Sequence, residues 1–364
     1  MIRFWFDLIV ILLGLCASAL LFWRIPLLPR KKATNPLRLS IIIPARNEEQ
    51  TLPLLLSDLL AQQFTPHEII VVNDDSEDDT EAVARAHGVK VLSLHTKPEG
   101  WGGKSWACQQ GALAATGDSL LFLDADVRLS PDGLDRIAAA HAANGVISVQ
   151  PYHTALRWYE QNALIFNLVQ IGANGSALPL RVDLGLFGPV IALSRADYFA
   201  IGGHESVKSA VVEDMALADQ LRRASISFQI FVGDADVSFR MYPAGLRSLW
   251  QGFSKNLATG AAKTPVWLFL LVALFIASIT SVALNLSVTL SSNSPLVWLY
   301  AALYAVWVFI LFLVSARIGK FHPIAVVLYP LPLLVFFAVF LNSSFIRLFH
   351  GKVKWKGRAL ELER

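Results

Sequence analysis

Asp124 and Asp126 stand two residues apart where the apolar run Leu120-Leu121-Phe122-Leu123 ends, in the stretch LLFLDADVRLSP. Side chains at i and i+2 of a strand share a face. Two carboxylates so placed repel, and burying them without a partner is expensive. One reading is a solvated strand end that enters a turn, where Asp is common. The other is a seat for a divalent cation, since Mg2+ and Mn2+ take oxygen ligands from one or two carboxylates plus substrate phosphates. A second acidic pair, Glu213-Asp214, opens the run EDMALADQLRR. Acidic residues at a helix N-terminus complement the helix dipole; the alternative is a general base at the mouth of a site. Lys104 closes the glycine-rich GWGGK and leads into a helical pattern. Backbone N–H groups at such a start suit phosphate, although the loop is not a Walker A sequence.

These groups need a frame. Leu39-Ser40-Ile41-Ile42-Ile43 reads as a buried strand ending at Pro44, followed by Asn47-Glu48-Glu49 and a helical pattern to about residue 62. Glu68 to Val72 is a second strand, ending on Asn73-Asp74-Asp75-Ser76. A helix over 77–87 and a third strand at 89–92 follow, and the fourth strand, 119–124, carries the opening aspartates. Alternating strand and helix predicts an α/β domain with a parallel sheet, and such sheets bind ligands at the carboxyl ends of their strands. Arg46/Asn47/Glu48, Asn73/Asp74/Asp75 and Asp124/Asp126 then fall on one edge.

The chain has 364 residues, 54% of them hydrophobic and only 16% charged, too apolar for an ordinary soluble protein. The excess lies in four runs, at 4–23 and about 266–290, 296–314 and 324–346, each near the ~20 residues that cross a bilayer. Ala17-Ser18-Ala19 resembles a signal-peptide cleavage site, but the apolar run continues through Trp23 and then turns basic, which predicts an uncleaved anchor. Residues 1–24 are thus read as the anchor, 38–262 as a soluble α/β domain, 266–346 as two or three membrane helices and 347–364 as a basic tail. Arg24, Arg30, Lys31 and Lys32 predict an inner-membrane, multi-pass protein whose central domain faces the cytoplasm. The tail, with Arg347, Lys352, Lys354, Lys356 and Arg358, argues for the inside as well; three crossings after the domain would put it outside. Pro330 and Pro332 make the last run a candidate for a broken or re-entrant segment. The net charge of +3 is small, and the basic residues border apolar runs, which points to anionic lipid and not to nucleic acid. Cys16 and Cys108 lie in different parts of the chain and read as small buried residues. Residues 155–171 and 246–257 are too apolar for solvated helices; core packing and a place in the membrane interface both remain open.

The ordered set IIIPARNEE, VVNDDSEDDT, GWGGKSWACQQGALAATGD, LLFLDADVRLSP and VVEDMALADQLRRA resembles the family 2 glycosyltransferases of GT-A fold over nearly all of 38–262. The resemblance implies that Pro44, Asn47 and Glu48 line a nucleotide pocket and that Asp74 meets the uracil. It puts Lys104 by the base or diphosphate, Asp124 at the ribose and metal, and Asp126 on the metal, Mg2+ or Mn2+. It makes Asp214, within Glu213-Asp214, the catalytic base of an inverting transfer from a UDP-sugar. Processive members carry Gln-x-x-Arg-Trp; here Gln251-Gly252-Phe253-Ser254-Lys255 lacks the Arg and Trp, which implies a single transfer. Trp250, Gln251 and Phe253 become acceptor-side or interface residues. SFRMYP (238–243), QGFSKN (251–256) and WKGR (355–358) are similar to the branch of the family that glycosylates carotenoid acids. That similarity suggests glucose, a terpenoid carboxylate acceptor, and Arg240 on the diphosphate or the acceptor carboxylate. Polyprenyl phosphate, glycerolipid and hopanoid acceptors stay open, as does an inactive membrane scaffold, against which the intact Lys104, Asp124, Asp126 and Asp214 argue.

Overall fold

The computed structural model describes residues 2–33, 37–350, 352–355 and 358–361. In chain order its elements are α1 (Ile2–Leu21), β1 (Leu39–Ala45), α2 (Leu52–Leu60), β2 (Glu68–Asp74), α3 (Thr80–Ala86), β3 (Lys90–Leu94), α4 (Gly103–Ala114), β4 (Ser119–Leu123) and β5 (Val127–Leu129). Next come α5 (Gly133–Asn144), β6 (Val146–Gln150), β7 (Tyr152–Thr154), α6 (Ala163–Asn174), β8 (Val190–Ser194), α7 (Arg195–Ala200), α8 (Glu213–Arg223), β9 (Phe228–Val232) and β10 (Val237–Phe239). The chain closes with α9 (Leu246–Lys263), α10 (Val266–Ser291), α11 (Val297–Ile318), α12 (Pro323–Val327) and α13 (Pro330–Phe345). It divides into two compact units: residues 26–153 and 183–241, with 352–355 and 358–361 of the tail, form one, and residues 2–25, 154–182 and 242–350 the other.

The first unit is built on a seven-stranded sheet in the order β3-β2-β1-β4-β8-β6-β9. β1 runs parallel to both β2 and β4, so the strand order reverses around it, where open α/β sheets form their binding crevice. The sheet is mixed and not parallel throughout, because β8 is antiparallel to both β4 and β6. Strand direction is set by distant pairing, which a local apolar pattern does not encode. The β-branched and leucine runs of β1 and β4 are almost wholly buried, as two-sided strands require. α2 buries Leu52, Leu55, Leu56 and Leu59 at helical spacing against one face. On the other face α4 comes so close that a Cβ on Gly111 would sit 2.4 Å from Ile42 Cγ2.

At the N-terminal ends of these strands Glu68 accepts from Ser40 Oγ (2.8 Å), Thr116 N (2.6 Å) and Thr116 Oγ1 (2.8 Å). Burial opposes its charge, but the Thr116 amide, the two hydroxyls and Lys90 outweigh it and lower the Glu68 pKa to about 2. On the far edge, the segment from Pro26 lies along β9: Val232 N donates to Pro26 O (2.7 Å) and Leu28 N to Val232 O (2.8 Å). The buried Arg136 guanidinium secures this strap, donating to Leu28 O (2.5 Å) and Pro29 O (3.2 Å) while pairing with Asp234 (2.7 Å) and Asp236 (2.6 Å).

In the second unit, among the described residues, four helices are long and apolar enough to cross a membrane: Phe4–Leu21, Val266–Ser291, Val297–Ile318 and Pro330–Phe349. α1 and α10 pack at Gly14 and Ser278, whose hydroxyl donates to Ile11 O (3.1 Å). The last apolar run is broken: α12 ends at Val327, and α13 restarts with Pro330 in its first turn, where a missing N–H is harmless. α9 is held to α13 by side chains entering its backbone ladder. Ser343 Oγ donates to Ser254 O (2.7 Å) and accepts from Ala258 N (3.0 Å), while Arg347 donates to Ala258 O (2.9 Å). Of the basic tail, Lys352–Trp355 and Arg358–Glu361 pair as an antiparallel hairpin; Lys356 lies outside the described residues.

Candidate active site

Three loops leave the carboxyl ends of β1, β2 and β4. The first two are laced together. Arg46 donates to Asp74 O (2.7 Å), Glu77 N to the side-chain oxygen of Asn47 (2.9 Å), and Glu48 N to Thr80 Oγ1 (2.8 Å). Asn47 adopts φ +52°, a left-handed conformation that asparagine tolerates. Asn47 therefore fixes the loop pair with its side chain, and the Glu48 carboxylate accepts the hydroxyl of Thr51, the residue before α2. Asp74 is buried at the end of β2, and Pro44 is half-buried in β1 opposite Val72.

The third loop corrects one expectation. β4 stops at Leu123, and Asp124-Ala125-Asp126 form a turn closed by Val127 N to Asp124 O (3.1 Å). Asp124 and Asp126 therefore do not share a strand face. Asp124 N still bonds Pro189 O (2.9 Å), the next position of the β4–β8 register, and Ala125 then turns into the core. Both carboxylates are half-buried at this rim.

Lys104, at the start of α4, gathers the rest. Its ammonium lies 2.6 Å from Asp124 Oδ1 and 3.6 Å from Glu213 Oε1, and donates to Gly188 O (3.3 Å). Burial works against its charge, but Asp124 and Glu213 outweigh it and hold the ammonium above the ordinary lysine range. Asp214, next along at the start of α8, accepts one amide on each oxygen: Gly188 N on Oδ2 (3.0 Å) and Met215 N on Oδ1 (2.8 Å). Burial and then the Glu213 charge raise its pKa to about 6, against the lowering pull of Lys104 and the two amides. An acid so tuned changes hands with a proton near neutrality. Cys108, one turn after Lys104, is a buried thiol pushed upward by burial and plays no visible acid–base part.

Lys104, Asp124, Glu213 and Asp214 are thus brought together; Arg240 follows β10, half-buried. Trp250, Gln251 and Phe253 belong to the second unit, on α9. Phe253 packs face to face with Phe166 at 4.0 Å and against Tyr242, so it is a packing residue there. Reading by residue type missed Gly188 and Pro189, which act through backbone atoms. The Gly-Pro pair after Phe187 was the one available signal.

A mixed α/β sheet with paired carboxylates, a lysine and an acidic helix start at its carboxyl edge defines the GT-A class of sugar-nucleotide transferase. The model of glycosyl transferase family 2 matches residues 40–175, and the chain belongs to this family. It is 34% identical over 369 residues to the 4,4'-diaponeurosporenoate glycosyltransferase of Staphylococcus aureus strain USA300, covering 98% of this chain and 97% of that one. The protein of strain MRSA252 with the same name is 33% identical over the same span. Among solved structures, a mannosyltransferase from Pyrobaculum calidifontis, in complex with GDP-mannose and Mn2+, superposes with a TM-score of 0.55 at 16% identity, covering 94% of this chain and 99% of that chain. The chain is therefore a glycosyltransferase of GT-A fold.

Proposed function

We propose that this glycosyltransferase is membrane-bound, inverting and non-processive, and that it moves a hexose, glucose before others, from a UDP-sugar to an apolar terpenoid carboxylate. The observation that carries the reading is the meeting of Lys104, Asp124 and Glu213-Asp214 at the carboxyl edge of the sheet. The acceptor class rests on the full-length relatives named for 4,4'-diaponeurosporenoate. Basic residues follow the first apolar helix (Arg24, Arg30, Lys31, Lys32) and end or follow the third (Arg317, Lys320), while 292–296 carry no charge. This pattern supports a catalytic unit on the cytoplasmic side.

The donor set suits a hard divalent ion. Lys104 pairs with Oδ1 of Asp124, and Asp126 lies two residues on in the same turn. Among the described residues no group of three His, Cys, Asp or Glu side chains is placed to hold a metal ion, and a substrate diphosphate would complete the shell of Mg2+ or Mn2+. A bound ion would neutralise charge developing on the departing UDP. Lys104 supplies a second positive charge there. Pro44, Asn47, Glu48 and Asp74 form the nucleotide side, and Arg240 serves the diphosphate or the acceptor carboxylate. Asp214 faces the acceptor oxygen. An alcohol must lose its proton as it attacks, and Asp214 takes it; a carboxylate arrives ionised, and Asp214 then orients it.

The test is UDP release from UDP-glucose by the full chain in detergent, with Mn2+ or Mg2+, with and without 4,4'-diaponeurosporenoate. Asp126→Ala and Asp214→Asn run beside it, and mass spectrometry identifies the product. Acceptor-dependent release reduced by both substitutions is expected. No release with any sugar nucleotide or apolar acceptor, and no UDP binding, would return the chain to the scaffold reading.

A further inference from the structure

Three consecutive residues, Phe187-Gly188-Pro189, touch the charged groups of Lys104 and Asp214 and the backbone of Asp124. Gly188 donates its N–H to Asp214 Oδ2 (3.0 Å) and accepts from Lys104 with its carbonyl (3.3 Å). Pro189 accepts from Asp124 N (2.9 Å). A Cβ on Gly188 would lie 3.1 Å from both Asp214 Oδ2 and Lys104 Nζ, so carboxylate and ammonium lie directly against this backbone. The segment precedes β8 and lies outside the β6–β8 register, which pairs Ser148 with Ile191 and Ile147 with Ala192. Its first residue, Phe187, is held by one side chain. Ser148, on β6 and fully buried, donates its hydroxyl to Phe187 O (2.9 Å) and accepts from Phe187 N (2.7 Å). Both polar groups of Phe187 are thereby satisfied by a single oxygen, and without it they would stand buried and unpaired.

We infer that Ser148 is a positioning residue for sugar transfer. Its hydroxyl fixes Phe187, and through Gly188 it aims the Asp214 carboxylate and the Lys104 ammonium at each other's side of the reacting centre. Ser148 touches none of the groups proposed to meet substrate. Its effect falls on how the transition state is met and not on how the nucleotide is held, because Asp74 and the 46–49 loop are secured separately by Arg46, Asn47 and Thr80. The inference rests on the proposed role of Asp214.

The experiment uses the full chain in detergent with UDP-glucose, Mn2+ and 4,4'-diaponeurosporenoate. Ser148→Ala, Ser148→Thr, Gly188→Ala and Asp214→Asn are compared with the parent, and UDP affinity is measured by calorimetry. Ser148→Ala should lower kcat about tenfold or more while the KM for UDP-glucose and the UDP affinity stay within about twofold. Ser148→Thr keeps the hydroxyl and should recover most of kcat. Gly188→Ala reaches the same groups by another route and should give the same split, so a poorly folding Ser148→Ala does not stop the test. Parental kcat in either alanine variant, or no recovery with threonine, overturns the positioning role. A parent that transfers no sugar, or an Asp214→Asn variant as fast as the parent with both alcohol and carboxylate acceptors, removes the underlying reading instead.

Discussion

The proposed role of Asp214 makes its replacement by asparagine depend on the acceptor. Asparagine has the same shape but only one oxygen, whereas the aspartate accepts Gly188 N at 3.0 Å and Met215 N at 2.8 Å. Asp214→Asn therefore loses one of two backbone hydrogen bonds, about 1–1.5 kcal/mol, or roughly tenfold in rate. With a carboxylate acceptor, already ionised, that is the whole expected loss. With the corresponding alcohol the variant also lacks the base, and a further factor of about 10²–10⁴ is expected. The pH profile should separate the acceptors too. Asp214 has its pKa raised to about 6, so transfer to the alcohol rises with pH through about 6 as the carboxylate ionises and becomes able to take a proton. The carboxylate acceptor gains nothing from that ionisation, and its KM should rise over the same range because two anions then face each other. The assay is kcat and KM for 4,4'-diaponeurosporenoate and its alcohol, parent against variant, from pH 5 to 8. An equal, hundredfold or greater loss with both acceptors would refute the reasoning.

Further expectations follow from neighbouring groups. Lys104→Met removes the cation 2.6 Å from Asp124 and 3.6 Å from Glu213; transfer should be lost to below about 1%, and the acid limb with the alcohol acceptor should move up by about one pH unit. Glu68→Gln tests the opposite edge. The Glu68 pKa is lowered to about 2, so its contribution is full above the unfolded value near 4.5 and fades as pH falls through about 2. The variant should lose about 3 kcal/mol at neutral pH and almost nothing near pH 2, read by urea unfolding monitored by tryptophan fluorescence. Arg136→Met takes the buried guanidinium from Asp236, leaves Asp234 only the exposed Arg30, and frees two carbonyls of the strap; a loss of about 3 kcal/mol and rapid proteolysis near residues 26–33 are expected. Ser294→Cys, in the uncharged 292–296 turn, should react with a membrane-impermeant maleimide on intact cells; labelling only after lysis would reverse the proposed orientation.

Much of the site was legible because its chemistry sits in side-chain types at strand ends. The β-branched run of β1 and the apolar run of β4 announce buried strands; Asp124 and Asp126 stand out where β4 stops, Lys104 after a glycine-rich loop and Glu213-Asp214 before a helical pattern. Their partners were not legible. Lys104 and Asp124 are twenty residues apart in sequence, but their 2.6 Å pairing depends on α4 crossing the sheet at Gly111. The hold of Pro189 on Asp124 depends on the pairing of β4 with β8, and the direction of β8 on its neighbours, all non-local facts. Gly188 and Ser148 were invisible for a different reason: one works through its peptide groups and the other looks like any small residue of a strand. Pro330 and Pro332 did signal the break in the last apolar run, though its position, ahead of Pro330, required the helix start to be seen.

The strap along β9 bears on how the protein is made. Its residues emerge early, directly after the first apolar helix, while β9 and its carboxylates come far later; Arg30 and Asp234, which meet at 3.5 Å, are 204 residues apart. Until then the sheet has an unfinished border, and open strand edges invite pairing with other chains. The last-made strand of the sheet is thus finished by one of the first-made segments. A ribosome stalled before residue 228 would hold a nascent chain whose strap has nothing to close on, so acquisition of protease resistance at residues 26–33 should mark the moment at which synthesis of the sheet is complete.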